Sequence, residues 1–166
     1  MSDERPDDTA SNAYWDAVEE ATEMLREERF HEALTKLREV IKAEPKNPYA
    51  YHFAGIALYE TGELEAARDA YGASLKLSPK FLGARLALSH VLRELGDTRG
   101  AAREGMEALS QNPGDGDALY AVGLAYFARG EYVAAKKYLE AFLGARPEFE
   151  VATEVQALLA RISEQV

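Results

Sequence analysis

A 34-residue period constrains this chain more than any other feature. Pro45, Pro79, Pro113 and Pro147 recur at that interval, and Ala33, Ala67, Ala101 and Ala135 keep the same step. So do Gly62, Gly96 and Gly130, and the apolar series Ile41, Leu75, Leu109 and Leu143. Four registers locked to one interval point to a quasi-linear array in which each repeat packs on its neighbours, rather than to one undivided globule.

Within one period the pattern reads as two helices. From Tyr51 to Pro79, Ala54, Gly55 and Leu58 mark a first helix that Thr61-Gly62 ends, because glycine takes the left-handed conformation of a helix C-terminus without steric cost. Leu64, Ala67, Tyr71 and Leu75 mark a second, which stops before Pro79 because the residue preceding proline avoids the helical region. By register the repeats occupy residues 14–47, 48–81, 82–115 and 116–149, so that four hairpins fill residues 13–147. Residues 148–166 form one more amphipathic helix, apolar at Val151, Val155, Leu158, Leu159 and Ile162, which is expected to cap the last hairpin. Residues 1–12 hold Asp3, Glu4, Asp7 and Asp8 and almost nothing to bury, so they are expected to be a flexible acidic tail, with Ser11 or Asn12 capping the helix that follows.

Two departures stand out. The first repeat carries Glu20 and Glu28 where the others have an apolar residue and glycine, which makes it the most irregular copy. Gly105 sits inside a predicted helix, where it costs about 1 kcal/mol relative to alanine; a close helix approach or a movable joint would each account for it.

Composition narrows the function. The hydrophobic content of 47% is enough for a core, and the net charge of −10 disfavours nucleic acid, whose phosphates are bound by lysine and arginine. Without cysteine there are no disulfides or thiolate metal sites. The start lacks the basic and apolar runs of a signal peptide, and no stretch approaches the roughly 20 apolar residues of a membrane span. A cytoplasmic protein with no membrane insertion is the expectation.

These residues resemble the tetratricopeptide repeat family, whose 34-residue pattern is matched best by Ala54-Gly55-x-x-Leu58 with Ala67 and Tyr71, and by Val122-Gly123-x-x-Tyr126 with Ala135 and Leu139. The resemblance implies an all-α right-handed superhelix of four helical hairpins plus the capping helix. It also implies a concave groove formed by the second, fifth, ninth, twelfth and thirteenth positions of each repeat. Carried over, these are Trp15, Val18, Thr22, Leu25 and Arg26; Tyr49, His52, Ile56, Tyr59 and Glu60; Gly83, Leu86, His90, Arg93 and Glu94; and Asp117, Tyr120, Leu124, Phe127 and Ala128. Family members that clamp a C-terminal carboxylate present Lys and Asn at the fifth and ninth positions of the first repeat, where this chain has Val18 and Thr22, so that mode does not fit.

The candidate partner-binding residues are therefore Val18, Tyr49, His52, Ile56, Tyr59, Leu86, His90, Arg93, Tyr120, Leu124 and Phe127, a set suited to a protein or peptide segment with apolar anchors. His52 and His90, at the fifth and ninth positions of adjacent repeats, are expected to approach each other and to serve as polar contacts rather than metal ligands, while His31 is a surface residue. No catalytic constellation and no cofactor motif is present: Asn112 to Asp117 lacks the ligand pattern of a calcium loop, and no phosphate-binding glycine loop occurs. The expected function is a non-catalytic scaffold, adaptor or chaperone. Two alternatives remain at this stage. One is a chaperone of the type III secretion translocator kind, to which the acidic chain with its C-terminal Pro147-Glu148-Phe149 helix is similar. The other is a self-assembling homo-oligomer whose groove other copies fill.

Overall fold

The computed structural model describes residues 11–166, in which nine α-helices and no strand occur. They are α1 (Ser11–Arg26), α2 (Phe30–Ala43), α3 (Pro48–Glu60), α4 (Leu64–Leu77), α5 (Leu82–Glu94), α6 (Thr98–Gln111), α7 (Gly116–Ala128), α8 (Tyr132–Gly144) and α9 (Phe149–Gln165). The chain divides into two compact bodies, one ending at Val91 and the other running Leu92–Val166, with the division inside α5. Among the described residues no helix is long and apolar enough to cross a membrane.

The acidic tail expected over residues 1–12 lies outside the described residues as far as residue 10. Ser11 and Asn12 already belong to α1, which corrects that boundary. Ser11 is buried rather than an exposed cap, because its hydroxyl shares a 2.6 Å hydrogen bond with the Tyr49 hydroxyl, 38 residues away.

The first helix of each of the four repeats ends on one motif. The amide of Glu63 donates to the Leu58 carbonyl at 2.9 Å and that of Gly62 to Tyr59 at 3.0 Å, the paired bonds of a Schellman motif. The pair recurs at Asp97 and Gly96, at Glu131 and Gly130, and at Arg29 and Glu28. In the first repeat Glu28 takes the glycine's place with φ 59°, so the turn survives the substitution at the cost of left-handed backbone. Helix starts are less uniform: Asn47 accepts from the Tyr49 and Ala50 amides with Pro48 following it, Asp97 accepts from Gly100 and Asp115 from Ala118.

Glycines set the spacing within the second and fourth hairpins. A Cβ at Gly55 would lie 2.5 Å from the Tyr71 ring on α4, and one at Gly123 would lie 2.6 Å from Leu139 on α8. Glycine there lets the two helices approach closely enough for those side chains to be buried. In the first body Trp15, Tyr49, His52, Phe53, Tyr71 and Phe81 form a connected ring cluster, with edge contacts such as Trp15–Tyr49 at 5.1 Å and Tyr49–Phe81 at 5.6 Å. In the second body Leu119, Ala135, Leu139 and Phe142 close around Val155 and Ile162, so α9 is docked through its buried face. Gly105 is buried in α6.

Candidate functional site

In the first body, α1 and α3 lie side by side and enclose a groove of about 510 Å³. Its walls are Trp15, Thr22 and Leu25 of α1 with Phe53 and Ile56 of α3, and Glu19 and Arg26 complete the lining. The Arg26 guanidinium is held by Glu23 at 2.8 Å, whereas no ion pair or side-chain hydrogen bond reaches the Glu19 carboxylate among the described residues. Further along α3, Tyr59 shares a 2.9 Å hydrogen bond with Nε2 of the exposed His90, and Leu86 is half-buried on α5.

Three of the predicted groove residues are not available to a partner. Val18 and Tyr49 are 0% exposed and His52 is 6% exposed. Tyr49 is held by the Ser11 hydroxyl and by the rings of Trp15 and Phe81. His52 lies 4.7 Å from the Phe81 ring and is enclosed by Phe53 and Tyr71, so the expectation of a shared surface with His90 is corrected. Burial alone drives the His52 pKa from its ordinary 6.5 down to about 4, and its Nδ1 has no hydrogen-bond partner among the described residues. Burial also pushes the Tyr71 hydroxyl well above its usual range, with smaller contributions from Tyr59 and Glu60. Among the described residues no group of three histidines or carboxylates is placed to hold a metal ion.

In the second body the face of α7 is continued by α9. Tyr120 and Leu124 line a hollow of about 350 Å³ with Glu154, Leu158 and Arg161, and the Arg161 guanidinium lies 5.5 Å over the Phe127 ring. Tyr120 stacks on Phe142 at 4.9 Å and also borders a second hollow, of about 480 Å³, whose rim carries Asp117, Arg146 and Glu148. Burial and then the Glu154 charge raise the Tyr120 pKa, against a smaller opposing effect of the half-buried Arg93.

Comparison with known proteins decides the family. Tetratricopeptide repeat models match residues 18–80 and 92–162, most of the chain between them. The chain belongs to the tetratricopeptide repeat family. Solved structures agree on the fold. MamA from Desulfovibrio magneticus RS-1 (residues 41 to end) superposes with a TM-score of 0.80 at 21% identity, covering 99% of this chain and 86% of that one. A thermophilic tetratricopeptide protein of Thermus thermophilus, TTC0263, gives a TM-score of 0.70 at 20% identity over 92% and 82%. The first tetratricopeptide domain of Spaghetti (RPAP3), solved with the HSP90 peptide SRMEEVD, gives 0.66 at 21% identity over 71% and 91%. No curated protein matches the chain. The fold is therefore all-α and of the tetratricopeptide solenoid class.

Placing the tetratricopeptide register on the structure also recovers lining residues that the family positions do not supply. Glu154, Leu158 and Arg161 stand 34 residues after Tyr120, Leu124 and Phe127, so α9 lines the hollow as the first helix of a further repeat would. The period carries that signal, and a reading of residues 148–166 as a cap alone passes over it. Glu19 and Phe53 are likewise one period apart, both at a sixth position.

Proposed function

We propose that this tetratricopeptide protein is a non-catalytic interaction module that holds an extended or helical partner segment against the faces of its first helices. The observation that carries this reading is the lining of those faces: Trp15, Leu25, Ile56, Tyr120, Leu124 and Phe127 remain partly exposed beside open grooves, although a solvated helix face would be expected to be charged. The peptide bound by the RPAP3 domain supports protein segments as the ligand class. Val18 and Thr22, in place of a lysine and an asparagine, argue against a carboxylate-clamping mode in this chain. Scaffold, adaptor and chaperone are the uses this reading allows, and co-expression separates the chaperone from the other two, since only a chaperone is required for its partner to stay soluble.

The test is affinity measured by calorimetry against a partner isolated with the intact chain. Tyr59→Ala and Tyr120→Ala are expected to weaken binding about tenfold or more, as loss of an aromatic anchor does, while thermal unfolding shifts little. Unchanged dissociation constants in both variants would sink the proposal.

A further inference from the structure

The groove between α1 and α3 carries a charge that the fold leaves unanswered. Helix α1 has four carboxylates, Asp16, Glu19, Glu20 and Glu23, and one cation, Arg26. Glu23 engages Arg26 at 2.8 Å, and Glu20 is met by Lys36 of α2 at 3.1 Å. Asp16 and Glu19 remain without an ion pair among the described residues, and of these Glu19 lines the groove. The indole of Trp15 lines it too, and of the remaining walls Leu25, Phe53 and Ile56 are apolar, while the Thr22 hydroxyl is turned to its own helix, donating to the Glu19 carbonyl at 2.7 Å.

We infer that this groove selects a basic-apolar segment: an aliphatic or aromatic side chain seated among Leu25, Phe53 and Ile56, with a lysine or arginine next to it at Glu19. An anionic segment would place its charge against Glu19 with the one lining cation already engaged by Glu23, so it would lose on both counts. A neutral segment would gain the apolar contact alone. A cation gains the Glu19 carboxylate, and the neighbouring indole offers the aromatic ring that attracts cations best. The inference rests on the interaction-module reading above and narrows it to one partner chemistry.

Trp15 is the chain's single tryptophan, so its emission reports occupancy of this groove directly. Three synthetic nonapeptides, identical in leucine and phenylalanine anchors but with lysine, glutamine or glutamate between them, are titrated against the full chain at low and moderate salt. Affinity is expected in the order lysine, glutamine, glutamate, with the lysine peptide weakening as salt rises. Glu19→Gln is expected to reduce affinity for the lysine peptide about threefold and to leave the glutamine peptide unchanged, the scale of one partly exposed ion pair. Glu65→Gln, an exposed carboxylate on α4, controls for bulk charge and should change neither. Glutamate binding as tightly as lysine, no effect of Glu19→Gln, or an equal effect of Glu65→Gln overturns the inference while the glutamine peptide still binds and the module reading stands. If none of the three peptides binds, both fall for this groove.

Discussion

Two residues show how single side chains set the stability of this fold. Glu28 holds φ 59° at a turn where Gly62, Gly96 and Gly130 hold 76–87°. A non-glycine residue in that region costs about 1–2 kcal/mol, part of which glycine would give back through its greater freedom in the unfolded chain. Glu28→Gly should therefore stabilise the protein by about 0.5–1 kcal/mol, read as a higher urea midpoint with an unchanged slope. His52 acts in the other direction. The unfolded chain takes up its proton near pH 6.5 and the folded chain only near pH 4. Stability from this residue is thus complete above pH 6.5 and is lost as pH falls towards 4, by up to the order of 3 kcal/mol. Urea unfolding across pH 7 to 4 should show that loss, and His52→Leu, which fits the same ring cluster without titrating, should flatten the profile relative to wild type.

At the scale of elements, the hairpins were legible because their signals are local: Gly62 and Pro79 bracket α4 in the sequence as they do in the structure. Which face each position presents was less legible. The family register puts Tyr49 and His52 in the groove, yet Phe81 arriving from the next turn, with Trp15 and Tyr71, encloses both. That enclosure depends on aromatic bulk supplied by three other segments, which periodicity within one helix does not encode. Similarly, Ser11 reads as polar and terminal, and only the Tyr49 hydroxyl makes its burial favourable. On α9 the apolar side was legible in its helical periodicity, whereas the residues that line the hollow show only in the 34-residue period that relates them to α7. Its docking depends on Val155 and Ile162, 1% and 0% exposed. Ile162→Ala should destabilise the second body by about 3 kcal/mol, as truncations that leave a core cavity do, measured by urea unfolding followed by circular dichroism.

For the whole molecule, charge decides which partners are within reach. With a net charge of −10, binding to duplex DNA or RNA should be undetectable in a gel-shift experiment at about 150 mM salt, because no counterion release drives it. The same acidity draws in cationic segments from solution and would make association rates fall with ionic strength. Under the binding proposal above, discrimination among arriving segments would fall to the groove linings, Glu19 and Trp15 in the first body and Tyr120 with Glu154 in the second.

In the first body, hydrogen bonds between separate segments include Ser11 to Tyr49, Tyr14 to Asn47, Ser74 to Pro48 and Tyr59 to His90, and none of these four spans more than 38 residues. Each closes a loop of about one repeat, so no long stretch of chain has to be ordered before its contacts form. Folding speed follows from that arithmetic: low contact order places helical chains in the microsecond to millisecond range. A nascent chain of this kind would shelter each hairpin soon after it is made, and its aromatic clusters would spend little time exposed to other unfolded molecules.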